Sequence, residues 1–389
     1  MENQDFEKLL RNSESLKKWG NSFTKKRHLF EKAMGITDDY FVGIVGLRGI
    51  GKTILLLQIA GRFENSIYFS ADAIFLRKYS IYEIAEHLQR QGFQNIFIDE
   101  IHTSYEWAGD LKAIYDEKRA RVFFSGSSGL KIRGRGADLS RRAVILELKP
   151  ASYREYLNIK KGYDIPPYDF KTIMESRKDL SIRHAEASRY LEDYMLNGGV
   201  LFGGSGFREA LGNTLDKMLT KDLISMRGIN SKYENDAYKL LYHVASSPPY
   251  EFSYNSVSQK LGIGKTFLIT LISNLEDAGI IKTLLPCQHG LANVKKEPKV
   301  FLSPPYRFLL CPNPDKGALR EEFFVNNADP DCYFKTKRGE KTPDFLKEGK
   351  VVEVGGVSKK SYAMADLIAV DGVKFEGKFM PLFLFGLLY

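Results

Sequence analysis

A glycine-rich turn between an apolar run and a helical pattern is the feature that most restricts the fold of this sequence. The turn Gly46–Thr53 reads GLRGIGKT and matches G-x-x-x-x-G-K-[ST] without a mismatch. The apolar run Tyr40–Val45 precedes it, and apolar residues recur at helical spacing over Thr53–Arg62. The motif therefore predicts a phosphate-binding loop between a strand and a helix.

The chemistry of this turn predicts that it binds ATP with Mg²⁺. Glycines allow backbone N–H groups to curl around phosphates, and the following helix adds a favourable dipole. We expect Lys52 to reach the β- and γ-phosphates and the Thr53 hydroxyl to ligate Mg²⁺. The predicted nucleotide-binding residues are Gly46, Arg48, Gly49, Ile50, Gly51, Lys52, Thr53 and Ile54.

Two carboxylates follow the apolar run Asn95–Ile98, a pattern called Walker B. Asp99 is predicted to hold Mg²⁺, directly or through water, and Glu100 to polarise the attacking water. Without Glu100 we would expect nucleotide binding alone, and its presence favours hydrolysis. His102 comes next and either reports on the γ-phosphate or is a structural neighbour.

A third apolar run ends in small polar residues, VFFSGSS, over residues 122–128. If this strand lies next in the sheet, Ser125 or Ser127 reaches the γ-phosphate as a catalytic sensor. A plain turn at the end of a strand is the alternative.

Basic residues follow at Lys131, Arg133 and Arg135, and again at Arg141 and Arg142. An arginine finger stabilises charge on the transferring phosphoryl group, often from a neighbouring subunit. Arg141 or Arg142 is the predicted finger, and a role in trans would imply a homo-oligomer. A solvated basic loop is the alternative.

Apolar runs alternate with helical patterns through the first 150 residues. The predicted strands are Tyr40–Val45, Ser66–Ser70, Asn95–Ile98, Arg121–Ser125 and Val144–Leu148, and the predicted helices are Thr53–Arg62, Ser80–Gln91 and Tyr105–Lys118. Alternation of this kind is typical of a mostly parallel, doubly wound sheet, so the predicted fold class is α/β. Residues 1–40 are predicted to form helices with Lys17, Lys18, Lys25, Lys26 and Arg27 exposed.

Three segments resemble a large group of prokaryotic AAA-type ATPases: FIDEIHTSYEWAGDLKAIYD, FFSGSSGLKI and SRRAVILELKPASYREYL. That group shares an acidic-pair strand, a Ser-Gly-Ser-Ser strand and the pattern L-x-P-x-S-[FY]-x-E-[FY]-L, here Leu148–Leu157. The resemblance implies an ATPase core followed by a helical lid, a winged-helix domain and a domain similar to restriction endonucleases. Gly198-Gly199 and the closing segments EVGGVSKK and PLFLFGLLY agree with that order. The resemblance supplies no substrate.

Four domains are therefore predicted. They are the N-terminal helices with the P-loop core (1–150), the lid (151–228), the winged-helix domain (229–312) and the endonuclease-like α/β domain (313–389). In the third domain, Lys265–Asp277 is the predicted recognition helix, and IIKTLLP and KVFLSPP are the predicted wing strands. Because that helix is largely apolar, contact with DNA and packing inside the domain both stay open.

A nuclease of the PD-(D/E)xK type needs clustered carboxylates for Mg²⁺ and a lysine that assists the attacking water. The candidates in the last domain are Glu322 or Glu321, Asp344, Glu353, and Lys359 or Lys360. The lysine expected two positions after Glu353 is replaced by Gly355. A degenerate domain used for binding or assembly is the alternative.

Net charge and cysteine content bear on the partners, the disulfides and the location of the protein. The net charge of +9 permits double-stranded DNA as a partner without requiring it. Cys287, Cys311 and Cys332 are odd in number and lack CxxC spacing, so we expect no disulfide framework, no zinc site and a cytoplasmic location. No apolar run reaches about 18 residues, so no membrane partner is predicted. The tail Met380–Tyr389 is expected to form a buried final strand.

Together these features predict an AAA-type ATPase that hydrolyses ATP with Mg²⁺. We expect it to act as a nucleotide-driven switch on DNA or on a protein partner. Two alternatives stay open. The C-terminal domain would make the chain an ATP-dependent nuclease, or the chain would be a signalling switch that binds ATP and rarely turns it over.

Overall fold

The computed structural model describes residues 1–126, 139–223, 231–287, 297–335, 342–359 and 364–388 of the 389-residue chain. The chain divides into two compact units, Met1–Lys149 and Pro150–Tyr389, next to the predicted end of the ATPase core. No helix within the described ranges is long and apolar enough to cross a membrane. Several residues singled out in the sequence lie outside these ranges: Ser127, Lys131, Arg133, Arg135 and Lys360.

Helices and strands alternate in the first unit. The helices are α1 (Asn3–Asn21), α2 (Leu29–Met34), α3 (Lys52–Ala60), α4 (Ile81–Arg90) and α5 (Trp107–Asp116), with 3-10 turns at Ile74–Leu76 and Ile101–Thr103. The strands are β1 (Phe41–Val45), β2 (Ser66–Ser70), β3 (Asn95–Asp99), β4 (Arg121–Gly126) and β5 (Ala143–Glu147). They lie in the order β2-β3-β4-β1-β5, and every neighbouring pair is parallel. The predicted parallel α/β sheet is confirmed.

Burial explains why these strands read as apolar runs in the sequence. All five residues of β1 are buried, as expected for a central strand of a parallel sheet that is covered on both faces. Gly43 in the middle of β1 allows close packing, since a Cβ there would lie 2.6 Å from Ile145 Cδ1 and 2.7 Å from Phe124 Cζ. The parallel register places the carboxyl ends of β1, β3 and β4 side by side at one edge of the sheet.

Helix α1 covers the outer edge of the sheet along β2. The Ser13 hydroxyl accepts a hydrogen bond from the Tyr68 amide at 2.9 Å, and the Lys17 ammonium donates to the Ser66 carbonyl at 2.8 Å. Helix α1 approaches α3 closely at Gly20, where a Cβ would lie 2.4 Å from a side-chain atom of α3. Lys17 is therefore half-buried rather than exposed as predicted, and this burial lowers its pKa.

The second unit combines helices with two small sheets. Its helices are α6 (Tyr153–Lys160), α7 (Phe170–Glu175), α8 (Arg177–Arg183), α9 (Leu191–Asn197), α10 (Phe207–Lys217), α11 (Ser231–Ala245), α12 (Tyr254–Leu261), α13 (Lys265–Asp277), α14 (Tyr306–Leu310) and α15 (Lys316–Ala328). Its strands are β6 (Ile281–Leu284), β7 (Lys299–Leu302), β8 (Cys332–Tyr333), β9 (Phe345–Lys347), β10 (Lys350–Gly355), β11 (Leu367–Val370) and β12 (Phe379–Pro381). Strands β6 and β7 pair antiparallel, and the others form a mixed sheet in the order β12-β11-β10-β9-β8.

One hydrophobic core joins the three segments that were predicted to be separate domains. Tyr153 of α6, Phe301 of β7, Phe324 of α15 and Phe385 near the carboxyl end are all buried in it. This shared core accounts for a single compact unit over Pro150–Tyr389. Composition marks these segments as apolar, but it cannot show which of them pack together. The winged-helix and endonuclease-like descriptions stay predictions.

The apolar tail is buried as predicted, but most of it is not a strand. Only Phe379–Pro381 is extended, and Leu382–Leu387 forms a 3-10 helix. Every residue of Leu382–Leu387 is buried, so the tail lacks the alternation that distinguishes a strand from a helix in sequence.

Two of the three cysteines form a disulfide, which corrects the expectation that none would pair. Cys287 and Cys332 are 45 positions apart, and their Cα atoms lie 5.0 Å apart. Backbone pairing brings them together, because the Cys287 amide donates to the Tyr333 carbonyl and the Tyr333 amide donates to the Leu285 carbonyl. Cysteine count and spacing cannot reveal a long-range pairing of this kind. Cys311 is a free thiol.

Reduction of this disulfide is expected to destabilise the second unit. Closing a loop of 45 residues removes unfolded-state entropy worth about 4 kcal/mol. A reductant should therefore lower the Tm of this unit by roughly 10 °C in calorimetry. The Cys287→Ser chain should have a lower Tm that does not change with reductant. The Tm of Cys311→Ser should fall on reduction as it does in the wild type. An unchanged Tm after complete reduction, verified by thiol counting, would contradict this.

Candidate functional site

The predicted phosphate-binding loop joins β1 to α3 at the carboxyl edge of the first sheet. Gly49 and Gly51 have φ values of 77° and 97°, a region that glycine enters at little cost. At Gly46, with φ of 152°, a Cβ would lie 2.3 Å from the Leu148 carbonyl oxygen, so a side chain does not fit. The loop therefore has the strand–turn–helix setting that the motif requires.

The Lys52 side chain is folded into this loop. Its ammonium donates to the Gly46 carbonyl at 3.0 Å and to the Leu47 carbonyl at 2.7 Å, and the residue is only 5% exposed. The positive charge thus stands inside the turn whose N–H groups are predicted to hold the phosphates. Of the other predicted binding residues, Ile50 is buried and Arg48, Thr53 and Ile54 are half-buried.

Arg27 braces the loop from the N-terminal segment. Its guanidinium is buried and donates from Nη1 to the Ile50 carbonyl and from Nη2 to the Lys149 carbonyl, the latter at 2.7 Å. It therefore ties the loop to the last residue of the first unit. The prediction that Arg27 is exposed is wrong, because spacing within the basic run 25–27 does not mark one member as buried.

The two predicted metal ligands are in direct contact. The Thr53 hydroxyl donates to Asp99 Oδ2 at 2.6 Å, across 46 positions of sequence. A hydroxyl and a carboxylate beside a phosphate-binding loop are oxygen ligands of the kind that Mg²⁺ takes together with phosphate oxygens. The chemistry of this donor pair therefore fits Mg²⁺.

Asp99 is buried and accepts hydrogen bonds from three further groups. The Ser125 hydroxyl and the Glu100 amide donate to Oδ1, and the Tyr68 hydroxyl donates to Oδ2 at 2.9 Å. The structure thus places the predicted sensor Ser125 against the predicted metal ligand. Tyr68 is missed by sequence reasoning, because SIYFS shows only an apolar strand.

Glu100, predicted to polarise the attacking water, has an unusual backbone conformation. Its φ of 49° and ψ of 40° lie in the left-handed region, which costs a non-glycine residue about 1–3 kcal/mol. Its amide, which also lies 3.3 Å from the Ser125 hydroxyl, helps to hold this conformation. The carboxylate is partly exposed, and Oε2 lies 3.5 Å from Nδ1 of the buried His102. Strain of this kind clusters at functional sites.

The structure does not bring Arg141 and Arg142 to the loop. Ala143 pairs with Phe41 at the start of β1, so both arginines lie at the amino edge of the sheet. A five-residue strand separates the two edges by about 16 Å. The Arg142 guanidinium binds both Asp116 oxygens at 2.8 and 3.0 Å and lowers the pKa of that carboxyl. Neither arginine can serve as a finger at its own chain's loop.

The predicted recognition helix α13 uses its apolar side for packing. Its buried residues include Leu268, Leu271, Ile272 and Leu275. Its exposed residues are Lys265, Thr266, Ile269 and Ser273. Only one of these exposed residues is basic. This favours a role in packing for this helix over contact with a DNA groove.

Three of the predicted nuclease-like residues come together in the second unit. Lys359 Nζ lies 2.6 Å from Glu353 Oε1, and the Glu353 charge helps to raise the pKa of Asp344. The lysine folds back over Gly355, where a Cβ would lie 2.6 Å from Lys359 Cδ. Gly355 therefore leaves space for a lysine that comes from four positions later in the chain.

Of the two candidate glutamates, Glu321 rather than Glu322 faces this group. Glu322 is buried elsewhere and accepts hydrogen bonds from Arg307 Nε and the Leu302 amide, both at 2.8 Å. Glu321 Oε2 lies 3.7 Å from Lys299 Nζ. Successive helical residues point about 100° apart, so only one of two adjacent glutamates can face a given site.

This carboxylate cluster does not fit a metal centre. Within the described parts of the chain, no group of three or more His, Cys, Asp or Glu side chains is arranged to hold a metal ion. Lys299 lies beside Glu321 and Lys359 lies beside Glu353. Burial raises the pKa of Glu321 to about 7 and that of Asp344 to about 6. We therefore derive no metal-dependent cleavage from this cluster.

These raised pKa values predict that the second unit loses stability as pH rises. Glu321, with a pKa of about 7 when folded and 4.5 otherwise, binds more protons in the folded state between these values. Raising pH through this window therefore favours unfolding, by about 3 kcal/mol. Thermal melts from about pH 5 to pH 8 measure the effect. Glu321→Gln should make the Tm less dependent on pH, whereas the exposed control Glu376→Gln should leave the pH dependence unchanged. A Tm that rises with pH would contradict a raised pKa for Glu321.

Comparison with known proteins identifies the domain that carries the loop. Residues 38–157 match a protein family described as AAA domain, AAA_14. This segment holds β1 to β5, the loop Gly46–Thr53 and the acidic pair Asp99 and Glu100. Residues 38–157 are therefore similar to an AAA-type, ATPase-like domain.

Similarity to individual proteins extends further along the chain. MJ1637, an uncharacterised protein of Methanocaldococcus jannaschii, is 28% identical over 313 residues, which are 75% of this chain and 64% of the relative. MJ1544 of the same organism is 22% identical over 338 residues, 80% of this chain and 73% of that protein. This chain thus spans less than two thirds of MJ1637. Among solved structures, the Walker-type ATPase PABY2304 of Pyrococcus abyssi has a TM-score of 0.42 and 14% identity, covering 72% of this chain and 93% of that one.

Proposed function

From the AAA-type domain at residues 38–157 we propose that this chain binds ATP with Mg²⁺ at the loop Gly46–Thr53, hydrolyses it, and works as a nucleotide-driven switch. The observation that carries the proposal is the 2.6 Å contact between the Thr53 hydroxyl and Asp99. The two proposed magnesium ligands thus lie beside the phosphate-binding loop and next to Glu100. A P-loop that hydrolyses ATP needs these three groups at one edge of the sheet.

Each of these residues has a distinct part in the proposed reaction. The loop N–H groups and the Lys52 ammonium bind and orient the phosphates. Thr53 and Asp99 would hold Mg²⁺, which would neutralise negative charge on the phosphates. Ser125 fixes the orientation of Asp99 through its hydroxyl.

Glu100 is the proposed base for the attacking water. Its carboxylate is partly exposed, so water can reach it, whereas the neighbouring His102 side chain is buried. The 3.5 Å contact between His102 Nδ1 and Glu100 Oε2 orients the carboxylate. Proton transfer to a carboxylate held in this way is ordinary general base catalysis.

The partner of the switch is proposed to be a protein rather than duplex DNA. DNA affinity depends on neutralising phosphates with Lys and Arg along one face. The exposed residues of α13 include Lys265 as their only basic member, and its apolar residues are buried in packing. The net charge of +9 alone does not create a DNA-reading surface.

Phosphate release from ATP by the purified chain, measured with and without duplex DNA, tests this proposal. We expect release that requires Mg²⁺ and does not change when DNA is added at low salt. Stimulation by DNA would overturn the choice of a protein partner while leaving the ATPase intact. Less than one phosphate released per chain, with nucleotide still bound, would instead support the slow-turnover switch. Supercoiled DNA added with Mg²⁺ should remain uncut.

A further inference from the structure

We infer that Tyr68 is a further positioning residue for Asp99, and that its hydroxyl raises the affinity with which the site holds Mg²⁺. The inference rests on the proposed function, because it concerns the same site. It adds a residue of β2 to a site otherwise drawn from the loop, β3 and β4. It also gives a role to helix α1, which precedes the AAA-type segment 38–157.

The contacts of Asp99 carry the first step. The Tyr68 hydroxyl donates to Oδ2 at 2.9 Å, the same oxygen that receives the Thr53 hydroxyl at 2.6 Å. The other oxygen, Oδ1, receives the Ser125 hydroxyl and the Glu100 amide. Tyr68 therefore donates to the same Asp99 oxygen as Thr53, the other proposed metal ligand.

The hydrogen bond between Tyr68 and Asp99 is buried, so its loss would be costly. Tyr68 is 3% exposed and Asp99 is 4% exposed, so water cannot readily replace a lost partner. A buried carboxylate oxygen that loses a donor is left unsatisfied, which costs free energy.

Helix α1 fixes the strand from which Tyr68 reaches Asp99. The Ser13 hydroxyl accepts from the Tyr68 amide at 2.9 Å, and Lys17 Nζ donates to the Ser66 carbonyl at 2.8 Å. These bonds satisfy backbone groups on the side of β2 that has no neighbouring strand. The position of the phenol thus depends on the N-terminal helix as well as on the sheet.

Tyr68→Phe separates positioning from packing, because it keeps the ring and removes only the hydroxyl. The probe is a fluorescent ADP analogue titrated at increasing Mg²⁺ and again in EDTA. We expect the Mg²⁺ concentration for half-maximal binding to rise roughly tenfold, as for lost outer-shell partners of metal ligands. Affinity in EDTA should not change. Tyr82→Phe is the matched control, since that hydroxyl donates to Glu117 and accepts from Arg119, away from Asp99.

The outcomes separate this inference from the function on which it rests. If the wild type shows no Mg²⁺-dependent nucleotide binding, the proposed function fails. If the wild type shows it and Tyr68→Phe responds to Mg²⁺ as the wild type does, the inference is overturned. Melting curves without ligand check that the variant folds. Ser13→Ala removes the partner of the Tyr68 amide and should also raise the Mg²⁺ concentration for half-maximal binding. An unchanged Mg²⁺ concentration would mean that α1 does not help to position Tyr68.

Discussion

Glu100→Gln is expected to lower the rate of ATP hydrolysis by roughly 10²–10⁴-fold, the usual contribution of a general base. The amide keeps the size of the side chain but cannot accept the proton of the attacking water. Nucleotide affinity should stay within about twofold, because Glu100 is not among the groups proposed to hold the phosphates or the metal. Steady-state phosphate release and equilibrium binding of ATP measure the two quantities on the same preparation.

Glu106→Gln is the matched control for this variant. Glu106 is an exposed carboxylate that directly precedes α5, so the charge change is the same but lies outside the site. Its turnover should equal that of the wild type. Wild-type turnover in Glu100→Gln would remove the base from the mechanism and would leave the slow-turnover switch as the better description.

Lys52→Ala is expected to weaken ATP binding by roughly 100-fold or more. The ammonium is the charged group inside the loop, and hydrogen bonds to charged groups contribute about 1.5–3 kcal/mol each. Its loss also frees the Gly46 and Leu47 carbonyls that it now bonds, which loosens the loop. Calorimetric titration of ATP into the purified variant measures the change.

Lys112→Ala serves as the control for the loss of a lysine. Lys112 is exposed on α5, and its removal should leave ATP affinity unchanged. Melting temperatures of both variants without nucleotide show whether either change unfolds the chain. Tight ATP binding by a well-folded Lys52→Ala chain would mean that the nucleotide binds somewhere other than the loop.

Local pattern was sufficient to place the loop and the strands around it. The observed β2 has the predicted bounds Ser66–Ser70, and β1 begins one residue after the predicted start. Strand–turn–helix order is written in contiguous sequence, so hydrophobic periodicity and the glycine spacing are enough to find it. The same order implies that Thr53 and Asp99 meet, because parallel strands end at one edge.

Contacts that depend on packing could not be predicted. Tyr68 and Arg27 reach the site from β2 and from the segment before α2, and their partners are set by how α1 packs on the sheet. A tyrosine in an apolar strand and an arginine in a basic run look ordinary in sequence. The signal that remains is chemical, since a polar group in a buried strand needs a partner.

The second unit shows the same limit more strongly. Sequence could place a glutamate on α15 but not decide between Glu321 and Glu322, because that choice depends on the rotation of the helix about its axis. It could not pair Cys287 with Cys332, since their approach depends on backbone bonds between segments 45 positions apart. It also could not foresee that Lys359 would occupy the space over Gly355.

The most direct test of the central claim is the release of phosphate from ATP by the purified wild-type chain. It should be measured with Mg²⁺, with EDTA, and beside Lys52→Ala prepared in the same way. If the loop hydrolyses ATP, phosphate release is steady, requires Mg²⁺ and disappears in Lys52→Ala. Equal release by the wild type and Lys52→Ala would assign the activity to a contaminant or another site. If the wild type neither releases phosphate nor binds nucleotide, the proposed ATPase function is wrong.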